Sequence, residues 1–350
     1  MDLAHLLTEL SETPGVSGHE APIREKLRQH WEPLADALAV DALGTLIATR
    51  HGNGPEPRRR VMIAAHMDEI GLMVTRIEGE FLRFTGVGGI DTRILLSQPV
   101  MVHGEKPLPG LIGSRPPHVL PAEERSRYPG FDDLVIDTGL PARQLEKLVK
   151  VGTLVTFEQR AAQLNEEQIT GKALDNRASV AAVTLLLHEL QTRLHRWDVQ
   201  IAATVQEEVG LKGAEVATWH TRPDIAIAID VTFGIGVGIN EGVGFKLGDG
   251  PTLIVGPNAH PKLFDLVMEA AKRLEMKVHT EPAERSSGTD GWAMQVSREG
   301  VPTAILSIPI RNMHMPVEVV ALKDIERTAR LCAELICSLD DETMGRLTLD

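Results

Sequence analysis

The chain has 350 residues, 43% hydrophobic and only 3% aromatic, with a formal net charge of −13. That length supports one or two domains with real cores, and the acidic balance argues against nucleic acid and anionic membrane surfaces as partners. With a single tyrosine, Tyr128, a stacking surface for bases or sugars is not expected.

The segment 1–70 reads as a helix followed by a strand. Ser17-Gly18-His19-Glu20 has capping-box spacing and predicts an amphipathic helix over 20–31. Residues 61–65, Val-Met-Ile-Ala-Ala, form a short apolar run ending at His66, the signature of a buried strand. From 72 to 160 helical periodicity fades. Short β-like pieces are separated by Gly and Pro at Val87-Gly88-Gly89, 107–113 and Pro116-Pro117, with Glu123-Glu124-Arg125 in a loop. This is the pattern of a small β-rich insert. Beyond 165 the chain alternates, with helices predicted at 176–191, 261–275 and 318–338 and strands at 199–205, 224–230 and 303–308. The expected fold is therefore α/β with a largely parallel sheet, to which strand 61–65 also belongs. The α/β domain is then discontinuous, 1–71 and 161–350, interrupted by the insert 72–160.

Metal-type side chains fall at the ends of these elements. His66 and Asp68 follow the first strand, Asp175 precedes helix 176–191, Glu207 and Glu208 follow strand 199–205, Asp230 ends 224–230, and His314 lies beyond 303–308. In open α/β sheets ligands bind at the carboxyl edge of the strands. Taken singly, each piece has an ordinary structural explanation: a lone His-x-Asp is commonly structural, a Glu-Glu pair is commonly a solvated face, and Asp175 suits a helix N-cap. Asp230 is the exception, because a carboxylate following Ile225–Ile229 risks burial without a partner. Jointly, two histidines and several carboxylates suit a pair of divalent ions, Zn²⁺ first, with Co²⁺ or Mn²⁺ as alternatives.

Five segments in order resemble those of the M42 family, the tetrahedral, glutamyl or deblocking aminopeptidases. They are Ala65-His66-Met67-Asp68-Glu69-Ile70-Gly71, Ala173-Leu174-Asp175-Asn176-Arg177, Gln206-Glu207-Glu208-Val209-Gly210, Ala228-Ile229-Asp230-Val231 and Met313-His314-Met315-Pro316-Val317-Glu318. Ser286-Ser287-Gly288-Thr289-Asp290 and Leu111-Ile112-Gly113 with Pro116-Pro117-His118 are further echoes. The resemblance implies two divalent metals per subunit, with Asp175 bridging them, His66 and Asp230 completing one site, and Glu208 and His314 the other. It implies Glu207 as the general base acting on a hydroxide shared by the metals, and Asp68 as the residue that orients His66. It further implies peptide substrates cleaved at the N-terminus, a PDZ-like dimerisation role for 72–160, and dimers assembled into a hollow homododecamer. Asn312, Met315 and Trp292 depart from the family pattern beside the site, which bears on substrate preference rather than on the metals.

The nearest alternative is a two-metal amidase or deacylase acting on a non-peptide amide with the same ligands. A glycosidase would use two carboxyls about 5–9.5 Å apart without metal, whereas here the carboxylates accompany histidines. For the first-residue pocket, the segments 232–244 and 284–292 are expected to contribute. The Gly-rich, apolar run from Phe233 to Gly244, with Glu241 its only charge, predicts neutral aliphatic N-terminal residues, against a pull from Arg285 toward acidic ones. Met1-Asp2-Leu3-Ala4-His5 carries no secretory pattern and no window approaches the ~18 apolar residues of a membrane span. Cys332 and Cys337, five apart on a helix, face different sides and are not expected to pair. The expected location is the reducing cytoplasm.

Overall fold

The computed structural model describes residues 1–349, the side chains of Pro117 and Glu124 excepted. Helices α1 (Leu3–Glu12) and α2 (Ala21–Trp31) lead into the hairpin β1 (Ala37–Val40) and β2 (Leu46–Arg50), then β3 (Arg60–His66). The expected capping box is not formed: Glu20 is itself the N-cap of α2 and its side chain makes no cap bond. Ser17 Oγ donates instead to Asp68 Oδ2 at 2.5 Å, and Glu20 Oε1 accepts from Gly18 N and Gln206 N. Groups distant in sequence, the Asp68 carboxylate as acceptor and Gln206 N–H as donor, thus engage the two side chains that were expected to cap the helix.

Next come β4 (Gly71–Glu78), β5 (Phe81–Val87), β6 (Pro99–His103), β7 (Pro107–Ser114), β8 (Leu134–Asp137), α3 (Ala142–Leu148) and β9 (Leu154–Phe157). Among the described residues these strands close into a barrel in the order β4-β5-β8-β7-β6-β9. Alternate residues such as Leu72 and Val74, Leu82 and Phe84, and Val100 and Val102 point inward to a core of their own. Closure leaves no strand edge exposed to pair with other chains.

The remainder supplies β10 (Ala162–Gln163), β11 (Gln168–Gly171), α4 (Leu174–Glu189), β12 (Asp198–Thr204), α5 (Lys212–Thr221), β13 (Ile225–Phe233), β14 (Thr252–Val255) and α6 (Pro261–Arg273). It ends with β15 (His279–Pro282), α7 (Asp290–Gln295), β16 (Thr303–Arg311), β17 (Glu318–Ala321), α8 (Leu322–Ser338) and α9 (Thr343–Arg346). The large sheet runs β1-β2-β12-β3-β13-β16-β17-β11-β10, with β14 and β15 beside β16. Its centre, β12-β3-β13-β16, is parallel, but the flanks are antiparallel. The sheet is therefore mixed rather than largely parallel. Parallel neighbours need long crossovers, which the helix-linked central strands and the pair β14–β15, joined through α6, have; the short links β1–β2, β10–β11 and β16–β17 force antiparallel returns.

The span predicted as helix 318–338 also divides. Glu318-Val319-Val320-Ala321 forms β17, paired with β11 and with Ile310 and Arg311 of β16, and α8 starts only at Leu322. A β-branched pair between two waiting strands outweighs helical periodicity.

Both faces of the central strands are covered. On β3, Val61, Ile63 and Ala65 face the core shared with α1, α4 and α8, while Met62 and Ala64 face the core under α5 and α7. This is why the run reads as continuously apolar. Among the described residues no helix is long and apolar enough to cross a membrane.

Candidate metal centre

The alternation that builds the two cores also places the first two site residues. β3 and β13 run parallel with Ala64 opposite Ala228, so His66 and Asp230, two residues further on, continue the same face side by side. His66 is the last residue of β3, whereas β13 runs three residues beyond Asp230 to Phe233, further than the strand 224–230 expected from sequence; both side chains are buried.

Asp175 arrives on α4 through an irregular start. Ala173 has φ 57°, and Asp175 and Asn176 lie outside helical geometry, with a cis bond between them. Asn176 Nδ2 donates to Ile229 O at 2.9 Å and Ser179 Oγ to Asp230 O at 3.1 Å, clamping this helix end to β13. Beneath it, Lys172 Nζ meets Glu69 Oε2 at 2.6 Å, tying the approach to α4 to the exit of β3 by a buried ion pair. Burial presses the Lys172 ammonium toward its neutral form, while Glu69 opposes that.

Two carboxylates act as templates. Asp68 Oδ1 accepts from Glu207 N at 3.0 Å and Oδ2 from Glu208 N at 3.2 Å, so it holds the Glu-Glu pair in place. Its Oδ1 also lies 3.5 Å from His66 Nδ1, leaving Nε2 to face the other acids. Glu318 ties two segments of the site together, the start of α4 and the link from β16 to β17: Oε2 accepts from Asp175 N at 3.0 Å and Oε1 from His314 N at 2.8 Å. His314 itself adopts φ 60°, a left-handed backbone that this bond helps to hold.

The resulting distances decide what the cluster can hold. His66 Nε2 lies 3.2 Å from Asp175 Oδ1 and 3.7 Å from Asp230 Oδ1. His314 Nε2 lies 3.3 Å from Asp175 Oδ2 and 3.5 Å from Glu208 Oε1. Two ligands of one tetrahedral ion, each about 2.0–2.1 Å from it, stand roughly 3.3 Å apart. The spacing suits ligands around ions, and the two oxygens of Asp175 face different histidines. Two overlapping groups, His66 with Glu207 and Asp230, and His66 with Asp175 and Glu208, can each hold a metal ion. Glu207 is the outlying member, its Oε2 4.0 Å from His66 Nε2.

Electrostatics point the same way. Burial raises Glu207 to about 10, with Asp230, Asp290 and Glu208 adding to the rise and His66 opposing it. Burial likewise raises Glu208 to about 8 and Asp290 to about 7. The Asp175 carboxylate carries His314 up to about 9. Burial would raise Asp175 too, but hydrogen bonds from His314 and His66 outweigh it and hold this carboxyl well below the usual range. So many acids in one dry pocket cannot all ionise without cations, and a bound divalent ion inverts this balance.

A cavity of about 620 Å³ opens over the cluster, with Phe233, Glu281, Ser286–Thr289 and Trp292 on its walls. The barrel contributes its rim. A Cβ on Gly89 would come within 2.9 Å of His314 Nδ1, and one on Gly88, at φ +79°, within 3.4 Å of Glu208. Of the expected pocket residues, Arg285 turns outward, its side chain 86% exposed beside Glu284. Glu318, Glu281 and Gly89 were not singled out as site residues by sequence. Glu318 was visible only as the last letter of a motif, and the other two left no local signal.

The chain matches the M42 glutamyl aminopeptidase family over residues 44–331. It is 37% identical to a lysyl aminopeptidase of Pyrococcus furiosus, over 95% of this chain and 96% of that one. Among solved structures, a TET aminopeptidase from a marine sediment thaumarchaeon superposes with a TM-score of 0.93 at 31% identity, covering 99% of this chain and 100% of that one. TET1 peptidase of Pyrococcus horikoshii, described as assembling into a tetrahedron or a large octahedral shell, gives 0.85 at 34% identity, covering 97% and 100%.

Proposed function

The chain belongs to the M42 family of metal-dependent aminopeptidases, and we propose that it removes residues one at a time from peptide N-termini using two divalent ions. The observation that carries this reading is the placement of Asp175, whose Oδ1 and Oδ2 face His66 and His314 at 3.2 and 3.3 Å. His66, Asp230 and one oxygen of Asp175 would hold one ion, and His314, Glu208 and the other oxygen the second. Zn²⁺ suits this donor set, with Co²⁺ or Mn²⁺ as alternatives. An ion pair bound there supplies Lewis acidity toward a carbonyl and lowers the pKa of water.

The chain's own groups do the rest. Glu207 is fixed by the Asp68 carboxylate through its backbone N–H. From there it takes a proton from water and returns it to the leaving amine, a role typically worth ~10²–10⁴-fold. Asp68 orients His66, and Glu318 orients Asp175 and His314. His66, Asp175 and Asp230 are buried, so the charges among them are screened less than they would be in water.

We assign 1–71 and 161–350 to the catalytic unit and 72–160 to an inserted unit that mediates dimerisation, with a homododecamer as the final assembly. The relative described as assembling into a tetrahedron or a large octahedral shell supports the self-association. A cytoplasmic location accords with the unpaired thiols of Cys332 and Cys337.

The test is chelation. Exhaustive removal of metal should abolish hydrolysis of amino-acid p-nitroanilides, and Zn²⁺, Co²⁺ or Mn²⁺ should restore it. Full activity in protein shown to be metal-free overturns the reading. Hydrolysis of N-acylated amino acids in preference to the anilides would favour the deacylase alternative.

A further inference from the structure

We propose that the peptides accepted by this site begin with a basic residue, Lys or Arg, and that Glu281 selects them; the proposal rests on the aminopeptidase reading above. The cavity over the metal centre is lined by the site carboxylates and histidines, and by one further charge, Glu281 on β15. Among the described residues lining it there is no Lys or Arg. Arg285, the cation that could have balanced Glu281, points to solvent.

The position of Glu281 is built rather than incidental. Its Oε1 accepts from Thr232 Oγ1 at 2.7 Å and its Oε2 from Thr252 Oγ1 at 2.5 Å. A carboxylate has about four acceptor sites, so two remain for a ligand once both hydroxyls are satisfied. Thr232 lies two residues beyond Asp230 on β13 and on the same face, a step of roughly 6–7 Å along the strand. A four-carbon stem spans such a distance while its ammonium reaches the acid. Phe233 and Trp292, also on the cavity wall, offer apolar surface to that stem. An acidic first side chain would instead meet Glu281 with no Lys or Arg on the cavity wall to receive it. This differs from the neutral aliphatic preference expected from the Phe233–Gly244 run. Glu241, the only charge there, is absent from the cavity wall, and the selecting acid comes from β15.

The experiment uses the metal-loaded full chain and p-nitroanilides of Lys, Arg, Leu, Glu and Nε-acetyl-lysine. Lys and Arg should exceed Leu and Glu in kcat/KM by at least tenfold, and acetylation of the lysine should remove that advantage. Glu281→Gln should lower the Lys-to-Leu ratio at least tenfold; Glu281→Arg should shift preference toward Glu. Preference for Leu or Glu in the unaltered protein overturns the proposal. So does a Lys preference that survives acetylation, or a Glu281→Gln variant that loses Lys and Leu hydrolysis equally. If no anilide is cleaved by metal-loaded protein, the aminopeptidase reading itself fails. The acetyl-lysine comparison needs no variant, so misfolding of a variant does not blunt the test.

Discussion

At the scale of single residues, the site is organised by carboxylates that do different jobs according to what surrounds them. Asp175 is kept ionised by two histidines, whereas Glu207 is pushed up to about 10 by burial, with the neighbouring acids adding to the rise. A group that holds its proton so readily suits a shuttle between water and amine once cations have lowered that value. Glu207→Gln keeps the size and the backbone bond to Asp68 but cannot carry the proton. It should lower kcat by two orders of magnitude or more, with metal content by elemental analysis unchanged. Near-normal kcat in the metal-loaded variant would refute the role. Asp68 and Glu318 belong to a second class. They are buried acids spent on backbone N–H groups, so their value lies in fixing neighbours rather than in touching substrate.

At the scale of elements, the centre draws on the end of β3, the later part of β13, the irregular start of α4, the turn after β12 and the link from β16 to β17. The loop after β5 adds a contact from outside the large sheet, with Gly89 lying against the His314 ring. Only a missing Cβ permits that approach. Gly89→Ala should displace His314 and weaken metal retention about tenfold, in the range seen when groups supporting a ligand are lost. Competition with a chromophoric chelator would measure this, with circular dichroism to show the fold intact. Wild-type affinity in Gly89→Ala would mean that the loop yields and that the barrel does not constrain the centre.

At the scale of the whole molecule, the barrel and the large sheet have separate cores, and the cavity opens where they meet. Outside that cavity the loop after β13 leaves Val237 fully exposed and Val243 63% exposed. These are scattered side chains rather than a large contiguous patch, so the assembly proposed above has to be tested by mass in solution. Light scattering after size exclusion should give a mass many times the 38.2 kDa of one chain. A monomer that persists across a wide concentration range would count against assembly.

The sequence by itself determined the α/β class, the β-rich insert and the residues gathered at the centre. Strand alternation and chain order are local properties, and acids at strand ends need no long-range knowledge to be noticed. It also placed most elements closely: the predicted strand 303–308 is the first part of β16, and helix 261–275 is α6 within two residues. What only the tertiary structure decided depends on partners distant in sequence. The capping oxygens of Ser17 and Glu20 went to Asp68 and Gln206 because folding brings those groups beside them. Glu318-Val319-Val320-Ala321 became a strand because β11 and β16 flank it. Glu281 faces the cavity while Arg285, four residues on, faces water, because β15 is held beside β14 and the chain then turns outward. Composition names which charges a chain owns; packing alone decides which of them a substrate meets.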